Sequence, residues 1–304
     1  MRFLLVTVII PTYNRGYIIE KTIPTYIQEN VIELIVVNDA SNDDTDIVIK
    51  RLKKKYPIIK YIKQEKNTGQ TGAKNRALKE VKTDYVYFGD DDSILLPGTI
   101  KYLLETMKNK KADIVGAMPL YADTLDDIHK VNLFIERKAP ILKNVNEMID
   151  LYHLEEVCFF YRFKEPIKVP FTHACALVKK EYIKKVKFDT NFKGNAYREE
   201  TDFFLSCDEL GASIWFDSRG CQINYPFSEI KRIRTISSMF KHACYDLINT
   251  IKLINKHHWW FVKKYGYKYS KNKMILLYIF NDCLMYTKLL PNRLCNIIRR
   301  KFNI

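Results

Sequence analysis

Four β-branched or aromatic residues, Tyr85-Val86-Tyr87-Phe88, run through Gly89 into three consecutive carboxylates, Asp90-Asp91-Asp92, and then Ser93. The apolar part suits a strand buried on both faces. The acids then fall where such a strand leaves its sheet, which in an open parallel sheet is the ligand-binding edge. Three adjacent carboxylates repel one another, so they call either for a cation or for a solvated turn that caps the next helix. The hard ions Mg²⁺ and Mn²⁺ suit an all-oxygen set and usually keep waters and a substrate phosphate in their shell.

The preceding segments alternate in the same way. Phe3 to Ile10 is a continuous apolar run, read as a strand ended by Pro11. Tyr17, Ile18, Ile19, Ile23, Tyr26 and Ile27 recur at helical spacing, with a kink at Pro24. Leu34 to Val37 and Ile58 to Ile62 read as further strands, and Gly69 and Gly72 open a helix through Leu78. Strand–helix alternation predicts a doubly wound α/β half. Beyond it, Thr99 to Met107 reads as a helix, Ile114 to Ala117 and Ala174 to Val178 as strands, and Lys179 to Lys185 as a short helix. Leu120 to Pro170 is irregular and aromatic, the character of a substrate-binding insertion. The stretch from Gly194 to Leu210, stopped by Gly211, reads as a helix whose first turn carries Glu199, Glu200 and Asp202, where the macrodipole favours acids.

The formal charge of +15 is unevenly spread over the 304 residues. From Lys241 onward, thirteen Lys and Arg stand against Asp246 and Asp282, a net +11 that leaves +4 for the rest. The candidate site is acidic, so nucleic acid is not the expected partner. Seven isolated cysteines without a CxxC pair read as reduced thiols of a cytoplasmic protein. The N-terminal apolar run passes into Pro11 without a small-residue cleavage site and reads as a strand. The basic, aromatic segment 241–304 suits either a helical cap on the domain or an interfacial segment on an anionic membrane. His257-His258, beside Trp259-Trp260, reads as packing or an interfacial patch rather than a ligand pair.

Four stretches stand in a telling order: Val8-Ile9-Ile10-Pro11-Thr12-Tyr13-Asn14; Val36-Val37-Asn38-Asp39-Ala40-Ser41-Asn42-Asp43-Asp44-Thr45; Asn67-Thr68-Gly69 with Ala73-Lys74-Asn75; and Asp90-Asp91-Asp92 with Pro97-Gly98. Phe188-Asp189 and Arg198-Glu199-Glu200-Thr201-Asp202-Phe203 follow. Over about residues 3 to 225 this set resembles the family 2 inverting glycosyltransferases of GT-A fold. The resemblance implies an α/β, Rossmann-like domain with a mixed, mostly parallel sheet over residues 1–240, its nucleotide-sugar half at about 1–118 and its acceptor half at about 119–240. Residues 241–304 then form a basic helical extension.

The same resemblance implies the roles. Pro11, Thr12 and Tyr13 lie against the nucleoside, Tyr13 stacking on the base and Asp39 accepting from its edge. Asn67, Lys74 or Arg76, Asp90 and Asp91 belong to the donor site. Asp92 leads as ligand of Mg²⁺ or Mn²⁺, with Asp90 on ribose or metal. An acceptor hydroxyl then displaces the nucleotide diphosphate in line, with Glu200 as base and Asp202 as second choice. Glu199 is expected to face solvent or cap its helix. Two departures from the family pattern stand out: Lys74-Asn75 where Arg-Asn is usual, losing the planar fork, and Asn224 where many relatives carry a histidine. The implied donor is a nucleotide-diphosphate sugar, UDP-linked first, and the acceptor a glycan or lipid-linked saccharide. A nucleotide-sugar-binding protein without transfer activity and a nucleotidyltransferase share parts of this pattern; the latter needs a basic glycine-rich loop that Pro11 to Gly16 lacks.

Overall fold

The computed structural model describes residues 4–143, 148–149, 159–230 and 236–288, with side chains of the last stretch over 241–280. The first half alternates as its pattern predicts: β1 (Val6–Thr12), α1 (Gly16–Thr22), a 3-10 turn (Ile23–Tyr26), β2 (Val31–Asn38), α2 (Thr45–Lys55), β3 (Ile59–Lys63), α3 (Gly69–Leu78) and β4 (Tyr85–Phe88). These four strands lie parallel in the order β3-β2-β1-β4. Pro11 does not end β1; it pairs in register with Val37. The β1–β4 ladder stops at Ile9↔Phe88, with Gly89 N–H donating to the Ile9 carbonyl. The missing proline N–H therefore falls where β4 has already turned away.

The second half contains β5 (Ser93–Leu95), α4 (Thr99–Asn109), β6 (Ile114–Tyr121), α5 (Leu125–His129), α6 (Val131–Lys138), β7 (Ile167–Lys168), β8 (Ala176–Lys179), α7 (Lys180–Lys185), α8 (Glu199–Glu209) and β9 (Ile214–Asn224). The sheet continues β4-β8-β6-β9-β5, with β7 on β9, and β8 enters antiparallel to both neighbours. Part of the expected insertion, 144–147 and 150–158, lies outside the described residues.

Alternation along β1 divides the core between the two faces. Val8 and Ile10 pack with Leu34, Val36, Ile19 and Leu103 under α1, α2 and α4. Ile9 packs with Ile35, Val37, Phe88, Ala77 and Phe203 under α3 and α8. Burying each such side chain contributes about 1.5–3 kcal/mol.

The described part of the extension, α9 (Ile236–Tyr265) and α10 (Lys271–Lys288), packs on this second face. Leu253, Ile254, Phe261, Met274 and Tyr278 are buried in it. Acids of α8 pin α9. Asp202 accepts from Lys256 at 2.8 Å and lies 2.9 Å from His257 Nε2, whose Nδ1 is 2.6 Å from Glu209. Asp208 accepts from Trp260 Nε1 and the Tyr265 hydroxyl, each at 2.7 Å, and pairs with Lys264. His257 is thus a packing residue, as its setting predicts, and residues 289–304 lie outside the described residues. No described helix is long and apolar enough to cross a membrane.

Candidate active site

The strand end that delivers the acids is built around Gly89. A Cβ there would lie 2.6 Å from Cε1 of Tyr26, so the close approach requires glycine. The Tyr26 hydroxyl accepts the Asp90 N–H at 3.1 Å and donates to the Asp90 carbonyl at 3.0 Å, while Thr22 donates to the Asp91 carbonyl at 2.8 Å. Gln222 on β9 donates to Asp90 Oδ2 at 2.9 Å, its amide oriented by the Tyr87 hydroxyl on Oε1 at 3.1 Å. The turn is therefore fixed at once from α1 with its 3-10 turn and from the last strand, β9.

Its charge is poorly compensated. Burial, with Asp92 and Glu200 adding, pushes Asp90 up to about 6 against the pull of Lys74. Burial and Asp92 push Asp91 up to about 7, although Arg15 opposes them. Arg15 Nε is 3.4 Å from Asp91 Oδ1, and its terminal nitrogen 3.6 Å from Asp92 Oδ2. Among the described residues no three His, Cys, Asp or Glu side chains form a closed metal cage. A divalent ion held by Asp90 and Asp92, completed by substrate phosphates and water, fits such an under-compensated strand end. Asn224 stands beside it: it pairs with Ser93, which donates to its Oδ1, and the next N–H, of Tyr225, donates to the Asp92 carbonyl at 2.8 Å.

The residues expected on the nucleoside side lie at the ends of β1 and β2. Pro11 and Thr12 close β1, and Tyr13 follows them, 41% exposed. Asp39 already serves the chain: Oδ1 accepts from Thr68 N–H at 2.8 Å and Gln64 Nε2 at 2.6 Å, and Oδ2 from Gly69 N–H at 2.8 Å. It thereby satisfies the first orphan amides of α3. Asn67 closes the same turn, donating to the Asp39 carbonyl at 3.2 Å and accepting from Gly69 N–H at 3.1 Å.

On the opposite wall, Arg198 in the left-handed region (φ 72°) starts α8. Glu199, expected at solvent or as a cap, is buried: Lys74 Nζ lies 2.6 Å from its Oε1. Glu200, 25% exposed, is 3.7 Å from the same ammonium. The reason for the correction is a cation 125 residues upstream, which draws Glu199 inward. Of the two basic residues left open on α3, Lys74 turns inward to Glu199 and Glu200, whereas Arg76 turns to Glu80 at 2.6 Å. Asp202 is fully buried against α9 and its described partners are there.

Several residues escape the sequence reading. Arg15 directly follows the Pro11–Asn14 motif, and Gln222 shares a face of β9 with Asn224 by the strand period of two. Both had a findable signal. His173 and Tyr121 had none: they meet only in the fold, Nε2 to hydroxyl at 3.2 Å. Burial holds His173 below the ordinary imidazole value, with Glu200 acting against it.

Comparison with known proteins agrees with this architecture. Residues 7–185 match the profile of glycosyl transferase family 2. The chain is 28% identical over 192 residues, 62% of its length and 19% of the other's, to the minor teichoic acid biosynthesis protein GgaB of Bacillus subtilis. It is 35% identical over 113 residues, 36% of its length and 37% of the other's, to the GalNAc(5)-diNAcBac-PP-undecaprenol beta-1,3-glucosyltransferase of Campylobacter jejuni. The chain thus spans well under half the length of either relative. The mannosyltransferase PcManGT of Pyrobaculum calidifontis, solved with GDP-Man and Mn²⁺, superposes with a TM-score of 0.54 at 17% identity, over 83% of this chain and 63% of that one. S. aureus TarS in complex with UDP superposes at 0.51 and 15% identity, over 81% and 65%. With the profile match covering more than half of its residues, the chain belongs to glycosyl transferase family 2 and has the GT-A fold.

Proposed function

We propose that this chain transfers a sugar from a nucleotide-diphosphate donor, a UDP-sugar first, to an acceptor hydroxyl with inversion, in the synthesis of a glycan or a lipid-linked saccharide. The observation that carries the reading is Glu200: a part-exposed carboxylate on the wall facing the strand-end acids, close enough to Asp90 to raise its pKa. Tyr13 offers a flat face to the base and Asp39 a fixed acceptor, while Asp91 with Asn67 completes the donor side. Asp90 and Asp92 hold a divalent ion, Mg²⁺ or Mn²⁺. When bound, that ion supplies positive charge to the departing diphosphate. Arg15, fixed beside Asp91 and Asp92, adds charge at the same edge. Glu200 takes the proton of the attacking hydroxyl, and single displacement needs no second nucleophilic carboxylate. Among the relatives, one is named for an undecaprenol-linked substrate and one was solved with a nucleotide sugar and Mn²⁺, which supports the substrate class.

The test is nucleotide-diphosphate release from UDP-, GDP- and dTDP-sugars with Mn²⁺ or Mg²⁺, for the parent, Asp92→Ala and Glu200→Gln. Expected are metal-dependent turnover in the parent, loss in both variants on the order of 10²-fold or more, and donor binding retained in Glu200→Gln. Absence of any nucleotide-sugar binding refutes the proposal; tight binding without turnover across an acceptor screen favours the binding-protein alternative.

The proposal also sets the protein peripherally on the cytoplasmic face of a membrane. Trp259, Val262, Leu276 and Phe280 face outward among Lys263, Lys268 and Lys273, which supports contact with anionic lipid. Co-sedimentation with anionic but not zwitterionic vesicles is expected, and equal recovery with both refutes it.

A further inference from the structure

Lys74 lies within α3, 1% exposed, with Glu199 equally buried. Taking such charges out of water costs several kcal/mol each unless the geometry repays it. Here one ammonium serves two acids, 2.6 Å from Glu199 Oε1 and 3.7 Å from Glu200 Oε1. The Phe188 ring covers the ammonium at 4.9 Å. Phe188 is itself fixed by the neighbouring Asn75, which donates to its carbonyl at 2.8 Å and accepts its N–H at 3.0 Å. The second oxygen of Glu199, Oε2, is buried with no hydrogen-bond partner among the described residues. Burial opposes the charge of Lys74, but Glu199, Glu200 and Asp90 outweigh it, so the ammonium stays charged.

This is a poor arrangement for gripping a donor phosphate, because the ammonium is shut beneath the carboxylates. It is a good arrangement for holding them. Glu199 is drawn inward, and the adjacent Glu200 is left at the cleft with a cation behind it. Asp90, His173, Glu199, Tyr121 and Cys175 are titratable groups acting on that corner.

We propose that Lys74 is a positioning residue for the base rather than a donor contact: within a buried frame of Glu199 and Phe188, it fixes the carboxylate of Glu200 on the acceptor side of the cleft. The inference rests on the reading of Glu200 as base. A displacement of about 1 Å at a reacting group can cost on the order of 10²-fold in rate, so the effect belongs in kcat.

The experiment measures UDP affinity by calorimetry with Mn²⁺, and kcat and KM for the UDP-sugar that the parent turns over, in Lys74→Met and Lys74→Met/Glu199→Met. The double variant removes both buried charges and so keeps the fold if the single one does not. Expected is a kcat lower on the order of 10²-fold, with UDP affinity within about threefold of the parent, since a threefold change is well under 1 kcal/mol. A folded variant with weakened UDP binding and parental kcat assigns Lys74 to the donor and overturns the proposal, as does parental kcat with parental affinity. A parent that neither binds UDP nor releases it from any donor refutes the glycosyl-transfer reading itself, a different outcome from either of these.

Discussion

Replacing Asp202 by Asn separates the two acids that the α8 motif offers as base. Asp202 is fully buried, with Lys256 Nζ at 2.7 Å and His257 Nε2 at 2.9 Å from Oδ1. Asparagine keeps the shape and one acceptor but removes the charge. Breaking a buried ion pair by neutralising one partner costs about 3–5 kcal/mol. Lys256 is 42% exposed, so its share shrinks toward the surface value of under about 1 kcal/mol. His257 is fully buried, and the hydrogen bond between its Nε2 and Asp202 Oδ1 contributes most of what remains. The expected loss is about 2–3 kcal/mol, and at about 2 °C per kcal/mol for a chain of this size the midpoint falls by about 4–6 °C. Thermal and urea unfolding measure it, alongside kcat at a temperature where the variant is folded. The expected kcat is within about threefold of the parent, against a loss on the order of 10²-fold or more for Glu200→Gln. A parental melting curve with kcat as low as that of Glu200→Gln would refute the reasoning and make Asp202 the base.

Asp208→Ala strips the acceptor shared by Trp260, Tyr265 and Lys264; a loss of about 2–4 kcal/mol is expected, with a red-shifted tryptophan emission, and unchanged stability would show that the dock is held by its apolar contacts alone. Metal-free stability should fall as pH rises. Asp90 and Asp91 are pushed up to about 6 and about 7, so the folded state holds these protons more tightly than the unfolded chain. The stabilisation is complete below about pH 4 and is lost through pH 6 to 7, on the order of 3–4 kcal/mol for each group; melting in chelator at pH 5 and 8 reads it, Mn²⁺ should restore the midpoint, and an equal slope in Asp91→Asn contradicts the assignment. Gly89→Ala places a Cβ 2.6 Å from the Tyr26 ring. The overpacking should cost about 1–3 kcal/mol and weaken UDP binding by shifting the Asp90 turn, whereas parental affinity would mean that Tyr26 moves without consequence.

The strand-end chemistry was legible because it is local. A doubly buried strand must be apolar for its whole length, so the acids that end β4 announce both the sheet edge and the site. Pro11 misled for the same reason: its effect depends on where β4 stops, a fact of pairing rather than of β1. The antiparallel entry of β8 between β4 and β6 was illegible, since a short apolar run such as Ala174 to Val178 carries no direction. The sharpest case is Glu199 and Glu200. Both lie in the first turn of α8, where the macrodipole welcomes any acid, so propensity cannot rank them. Their fates diverge because Lys74 reaches across from α3 and takes one of them into the core. Asp202 follows the same logic with Lys256 and His257 from α9. Three neighbouring acids on one helix thus acquire three environments, each set by a cation distant in sequence: buried strut, cleft carboxylate and interhelical dock. A motif can name the helix that carries the chemistry, but only the partners packed against it decide which of its carboxylates remains free to meet a substrate.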